Sequence, residues 1–190
     1  MLKIGSLFSG YGGLDLAVSE SFDAEVVWHC EWEDAPSTVL EAHWPKVPNY
    51  RDVSKVDWST VEPVDILTGG FPCQDVSTAG RRAGLRNGTR SGLWSEFAKA
   101  IDILEPDWVV IENVRGLTSA KADSDVEYCP WCMGETDGGG STMRALGAVL
   151  GDLADLGYYA EWTGLRAADA GAPHNRYRVF ILAYPSKLRH

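Results

Sequence analysis

The sequence predicts an α/β fold, a largely parallel sheet with helices on both faces. Three observations predict it. Short aliphatic runs alternate with helix-like segments along the whole chain. The first of these runs enters the glycine-rich turn Ser9-Gly10-Tyr11-Gly12-Gly13, followed by an apolar helix start. A later run, Val64-Asp65-Ile66-Leu67, enters Thr68-Gly69-Gly70-Phe71-Pro72-Cys73-Gln74-Asp75. An open sheet presents a reactive side chain in this way: a buried strand ends, and glycines let the backbone turn tightly at its carboxyl edge.

Each element follows from its own pattern. Residues 3–8 read as the first strand, and a helix starts at Leu14 after the glycine turn. Residues 26–30 form a second strand ending at Glu31, and 35–43 a short helix. Residues 64–67 are the strand that leads to the cysteine. Over 94–104, Phe97, Ala100, Ile101 and Leu104 recur at helical period, and Pro106 stops the helix. Trp108-Val109-Val110-Ile111 is a buried strand. Over 141–156, Met143, Leu146, Val149, Leu150, Leu153 and Leu156 share one helix face. Ser141 is placed to cap that helix and Gly157 to end it. Residues 158–165 and 179–184 are the last strands. The stretch 118–140 is polar, aperiodic and contains Gly138-Gly139-Gly140, which reads as a long inserted loop. No internal repeat and no second domain are expected.

Bulk properties bound the function. A chain of 190 residues suits one domain with a full core, and 45% apolar with 23% charged residues is ordinary for a globular protein. No apolar run approaches the about 20 residues that span a bilayer. The N-terminus enters a strand without signal-peptide architecture, so a cytoplasmic protein is expected. Cysteines at 30, 73, 129 and 132 do not form a disulfide framework. The net charge of −10 argues against nucleic acid as a partner, but its distribution does not. Between Asp75 and Glu96 there is no acidic residue, while Arg81, Arg82, Arg86 and Arg90 all fall there. A local basic loop contacts phosphates even on an acidic chain.

Several residue types sit where chemistry needs them. Cys73 follows Pro72 in the turn after a strand, a context for a nucleophile rather than a buried hydrophobe. The glycine turn does not match Gly-x-Gly-x-x-Gly, so a dinucleotide is not favoured. Glu31 closes the second strand, where an acid commonly receives ribose hydroxyls; a surface glutamate is the plain alternative. Asp52, in Arg51-Asp52-Val53, can accept from an exocyclic amine or be an ordinary loop aspartate. Glu112 and Asn113 follow Val109-Val110-Ile111, where burying an acid is costly unless something needs it.

Taken in order, Phe8-Ser9-Gly10-Tyr11-Gly12-Gly13-Leu14, Glu31-Trp32, Asp52-Val53, Gly70-Phe71-Pro72-Cys73-Gln74, Glu112-Asn113-Val114 and Arg176-Tyr177-Arg178 resemble the ordered motifs of DNA (cytosine-5)-methyltransferases. The resemblance runs from residue 2 to about residue 184. It implies a Rossmann-like class I S-adenosylmethionine-dependent methyltransferase fold of six to seven strands. It also implies S-adenosylmethionine as cofactor and cytosine-containing DNA as partner. Phe8 would stack on the adenine, Glu31 hold the ribose and Asp52 accept from the adenine amine. Ser9, Gly10, Tyr11, Gly12, Gly13, Leu14, Trp32, Val53, Gly70, Pro72 and Leu93 would complete the cofactor site. Cys73 would attack C6 of cytosine, with Pro72 stiffening its approach. Glu112 would hold N3 and the exocyclic amine, which needs an acid of raised pKa or a proton shared with the base. Asn113 would orient that pair, Arg176 steady the carbonyl and Arg178 order the loop. Gln74, Ser77, Arg81, Arg82, Arg86 and Arg90 would contact DNA around a flipped-out base.

Two departures stand out. His174 occupies a position where the family usually carries glutamine. The family also continues into a target-recognition region and a terminal helix, whereas this sequence stops at Leu188-Arg189-His190. The expectation is therefore a catalytic domain alone, with a second chain as one source of the rest. Other readings are a catalytically silent binding homologue and an RNA methyltransferase. Cys129-Pro130-Trp131-Cys132 supplies half of a zinc knuckle, and a closed zinc site needs four ligands. The expectation is no resident metal, with Cys129 and Cys132 as the candidate zinc ligands.

Overall fold

A computed structural model of the chain describes residues 1–71, 92–118, 121–122 and 143–188. Its centre is a six-stranded mixed sheet. The strands are β1 (Leu2–Leu7), β2 (Ala24–Cys30), β3 (Ile66–Gly69), β4 (Trp108–Val114), β7 (Tyr158–Arg166) and β8 (Tyr177–Pro185). Their order across the sheet is β2-β1-β3-β4-β8-β7. The helices are α1 (Gly13–Phe22), α2 (Asp34–His43), α3 (Leu93–Leu104) and α4 (Ala145–Asp155). Short 3-10 turns at Val53–Lys55 and Trp58–Thr60 carry the chain from α2 towards β3.

The parallel part comprises β2, β1, β3 and β4. β8 runs antiparallel to both β4 and β7. The sheet is therefore less uniformly parallel than the alternating pattern predicts. No crossover helix lies between β7 and β8, only the 3-10 turn Ala167–Ala170, so the chain returns as a hairpin.

Element boundaries follow the sequence signals with local shifts. The last helix begins at Ala145 rather than near 141, because Met143–Arg144 (β6) pairs antiparallel with Lys121–Ala122 (β5). Met143 thus leaves the predicted helix face, and the expected cap Ser141 lies outside the described residues. Gly157 ends α4 with φ 84°, a left-handed conformation suited to glycine. Ahead of Asp52 the chain makes one parallel bridge to the sheet, Asn49 with His29.

The larger core lies between the sheet and the α3–α4 layer. Trp28, Trp58, Trp94, Phe97, Ile101, Val149 and Leu153 are buried there. Two sheet glycines make this packing possible. A Cβ at Gly5 would stand 2.0 Å from the Trp28 ring, and one at Gly69 would stand 2.4 Å from the Phe97 ring. The α1 face carries a smaller apolar cluster of Ile4, Val18, Ala24, Val26 and Ile66.

Candidate active site

The sheet register lines up the candidate residues. Cys30, Leu7, Gly69 and Ile111 are paired across β2, β1, β3 and β4. The residues immediately after them are Glu31, Phe8, Gly70 and Glu112. Four motifs far apart in sequence thus leave the sheet side by side at one carboxyl edge, spaced about 4.8 Å per strand.

The β1–β2 half of that edge is a backbone cradle. Phe8 adopts φ 52°, uncommon for a side-chain-bearing residue, and its N–H donates to the Cys30 carbonyl at 2.8 Å. Its ring stacks with Phe97, centroids 6.3 Å apart. Gly10 and Gly12 take φ of 54° and 78°, so the turn after β1 needs glycine at both. Gly12 caps α1 without any side-chain hydrogen bond, and a Cβ on Gly10 or Gly13 would meet nothing within 4 Å. A helix N-terminus with open space above it suits a ligand's polar groups.

Glu31 is 8% exposed and bridges this turn. One carboxylate oxygen accepts from the Gly10 N–H at 2.8 Å and the other from the Glu33 N–H at 2.8 Å. Each oxygen keeps a second lone pair, so the residue can hold the turn and still receive hydroxyls. Asn49 grips its backbone from both sides: Oδ1 accepts from the Glu31 N–H at 2.9 Å and Nδ2 donates to the Glu31 carbonyl at 3.3 Å. The sequence reading missed Asn49, because nothing local marks a loop asparagine that acts 18 residues away.

Asp52 is engaged locally. Its Oδ1 accepts from the Ser54 N–H and hydroxyl, and its other oxygen pairs with Lys55 at 2.9 Å. The Ser54 hydroxyl, then Lys55, hold its carboxyl below the usual range. The expected acceptor for an exocyclic amine is thus already capping a 3-10 turn. The Val53 side chain is buried in the larger core. Leu14 and Leu93 are only partly buried and pack against the two cores. Trp32 and Tyr11 are both 64% exposed, with Lys55 5.8 Å from the Trp32 ring centroid.

Burial, reinforced by the charges of Glu31 and Asp52, pushes the Cys30 thiol up to about 12. That cysteine stays protonated and is no nucleophile.

The β3–β4 half is built from side chains. Glu112 lies against Gly70: a Cβ there would stand 3.3 Å from its carboxylate, so glycine admits the acid. Arg178 lies opposite Val114 in the β4–β8 ladder, and its Nε pairs diagonally with Glu112. Arg178 is thus the partner of Glu112. Asn113 is 3% exposed and donates from Nδ2 to the Phe71 carbonyl at 2.9 Å. Its Oδ1 accepts from the Val114 N–H at 2.8 Å. It holds the backbone just after β3, two residues before Cys73. Arg176 is exposed beside β8, and its carbonyl accepts from the Ala167 N–H at 2.8 Å. His174 Nδ1 accepts from the Arg176 N–H at 3.4 Å.

Pro72, Cys73, Gln74, Ser77, Arg81, Arg82, Arg86, Arg90, Cys129 and Cys132 lie outside the described residues. Among the described residues, no group of three His, Cys, Asp or Glu side chains is arranged to hold a metal, and no helix is long and apolar enough to cross a membrane.

A family model described as C-5 cytosine-specific DNA methylase matches residues 2–190. The chain belongs to that family. Among curated members, this chain is 32% identical to Type II methyltransferase M.NgoBV of Neisseria gonorrhoeae over 186 residues, 95% of this chain and 40% of that protein. It is 31% identical to M.NgoBI of the same organism, covering 99% of this chain and 52% of that one. The chain thus spans about half the length, or less, of these relatives. Among solved structures, a Spodoptera frugiperda DNMT2 mutant aligns over all of this chain and 51% of its own, with TM-score 0.71 and 20% identity. Schizosaccharomyces pombe (S. pombe) Dnmt2 aligns over 97% of this chain and 49% of its own, with TM-score 0.67 and 17% identity. These likenesses support the Rossmann-like methyltransferase fold.

Proposed function

We propose that this chain is the catalytic portion of a DNA (cytosine-5) methyltransferase acting on a flipped-out cytosine. The observation that carries the reading is the shared edge, where Glu31 and Phe8 adjoin Gly70 and Glu112 in register. The residues suit S-adenosylmethionine: an uncapped helix N-terminus, a glycine turn with open space and an acid with spare lone pairs. Phe8, Gly10, Gly12, Gly13 and Glu31 would hold it. When bound, it supplies the electrophilic methyl group that C5 of cytosine takes.

In this reading the Cys73 thiolate forms a bond to C6, and the C5=C6 electron pair shifts to C5, with Glu112 at the N3 edge stabilising the displaced charge. After C5 is methylated, its proton is lost to a base. That C–H pair re-forms C5=C6 and expels the thiolate. Arg178 keeps the Glu112 side chain in place. Asn113 fixes the backbone from which the Cys73 segment departs, and Arg176 steadies the base carbonyl.

Gln74, Ser77, Arg81, Arg82, Arg86 and Arg90 contact the DNA. The insert at 118–140 belongs to the one catalytic domain. Target reading is supplied from outside residues 1–190, with a second polypeptide as one source, in the cytoplasm of a prokaryotic or phage-infected cell.

The test is incubation with 5-fluorocytosine DNA and methyl-tritiated S-adenosylmethionine. Fluorine at C5 cannot leave as a cation, so a labelled protein–DNA adduct should accumulate and map to Cys73. It should vanish in Cys73→Ala. Absence of any adduct, with duplex or single-stranded DNA, overturns the proposal.

A further inference from the structure

Three neighbouring strands each point one polar side chain at the same carboxylate. Ser6 of β1 is paired in register with His29 of β2 and with Thr68 of β3. Asp15, in the first turn of α1, sits among them. All four side chains are at most 1% exposed. Asp15 Oδ2 accepts from the Ser6 hydroxyl at 2.8 Å, and Oδ1 accepts from the Thr68 hydroxyl at 2.7 Å. His29 Nδ1 stands 3.7 Å from Oδ2, and neither ring nitrogen has a hydrogen-bond partner among the described residues. Beyond His29 lies a cavity of about 290 Å³, whose charged and polar lining is Ser37, Glu41, Asn49 and Arg51.

A β-bulge creates this convergence. Ile4 pairs with Val26, but Gly5 pairs with Trp28, so β2 gains one residue at that point. Without the extra residue, Trp28 would stand opposite Ser6 and His29 would face the other side of the sheet. The bulge sends the Trp28 indole to the large core and His29 towards Asp15.

A buried carboxylate is costly, and apolar side chains would fill the same space without that cost. What it adds is geometry. Apolar contacts tolerate sliding, whereas hydrogen bonds to a charged acceptor fix distance and direction. Each of the three strands reaches the candidate site two residues after its polar side chain, at Phe8, Glu31 and Gly70. α1 itself begins at the end of the glycine turn.

We propose that Asp15 is a positioning residue that ties β1 to β3 through the Ser6 and Thr68 hydroxyls, and so sets the glycine turn against the Gly70–Phe71 approach to Cys73. What the two edges do rests on the methyltransferase reading; the tie itself does not.

The test uses the full chain in two measurements, with Asp15→Asn, Thr68→Val, Thr68→Ser and, as a packing control on the same helix, Val18→Ala. Amide hydrogen exchange without ligand should rise at Phe8, Gly10 and Gly12 in Asp15→Asn and Thr68→Val. The rise should be about tenfold relative to Ile111 and Val179. Calorimetry should show S-adenosylhomocysteine binding weakened about tenfold in the same two variants. Thr68→Ser, which keeps the hydroxyl, should restore both values. Val18→Ala should leave affinity and the local ratio unchanged. The proposal is overturned if exchange rises equally everywhere, or if Val18→Ala reproduces Asp15→Asn. A wild-type chain that binds no S-adenosylhomocysteine sinks the methyltransferase reading instead, and the exchange ratios still decide the tie.

Discussion

On the α3–α4 side of the sheet, the packing is apolar from β2 to β7. Trp28, Trp58, Trp94 and Phe97 are at most 1% exposed, and the polar ends of two of these indoles find partners at its rim: Trp94 Nε1 donates to Asp152 at 2.6 Å and Trp28 Nε1 to the Glu62 carbonyl at 2.9 Å. On the α1 side, five buried apolar residues lie next to Ser6, Asp15, His29 and Thr68. The first face buries large side chains that favour compactness in any orientation that fills space. The second gives up burial energy for directed contacts. The difference teaches where stability and positioning reside, and it lets the two be perturbed separately.

The largest effect is expected on the apolar face. Phe97→Ala leaves a cavity next to Gly69 and should cost about 3–5 kcal/mol in urea unfolding. A smaller cost than any substitution on the α1 face would break the comparison.

Asp15→Asn comes next, and its sign depends on pH. Burial is the main cause that raises the Asp15 carboxyl to about 6, with the Thr68 and Ser6 hydroxyls opposing it. A carboxyl raised on folding contributes stability that is complete below its unfolded value, near 3.8, and is lost as pH rises through about 6. At pH 8 the wild type therefore carries a buried charge that Asp15→Asn removes. The variant should be more stable there by about 2–3 kcal/mol, with the gain gone by pH 4. A gain in stability together with looser cofactor binding would separate the two roles sharply.

His29 works in the opposite direction. Burial lowers it to about 4, so its contribution is present above 6.5 and lost as pH falls through about 4. It is neutral near pH 7, so its approach to Asp15 is not an ion pair. In Asp15→Asn the acid limb of His29 should stand alone, as a loss of stability on acidification that the wild type partly masks.

Asn113→Ala tests whether directed contacts matter at the candidate site's edge too. It deprives the Phe71 carbonyl and the Val114 N–H of their partner and should cost about 1–3 kcal/mol. Adduct formation at Cys73 should fall by more than that stability loss explains. Arg178→Gln should cost about 1 kcal/mol or less, since both it and Glu112 are partly exposed, while methyl transfer falls at least tenfold. Lys55→Ala removes an exposed cation that pairs with Asp52 and lies near the Trp32 face, and should change stability by about 0.5 kcal/mol or less.

Much of the site was legible because its signals are local. Strand, turn and acid follow one another within a few residues at Phe8, Glu31, Gly70 and Glu112. Asp15 was not legible, since an aspartate in the first turn of a helix is unremarkable until Ser6 and Thr68 are known to surround it. The Arg178 contact was not legible, because a motif indicates presence, whereas only the antiparallel register of β8 puts the residue diagonally from Glu112. Asn49 and Asn113 act on backbone 18 and 42 residues away, beyond the reach of any periodicity.

By itself the sequence determined the order of the elements, the glycine turns and the acids that end the strands, because these depend on short-range backbone preference and hydrophobic period. Only the tertiary structure decided that β7 and β8 form an antiparallel hairpin beside β4, that a bulge in β2 turns His29 towards Asp15, and that Glu112 meets Arg178. Those outcomes depend on register between distant strands, where a slip of one residue sends every side chain to the opposite face.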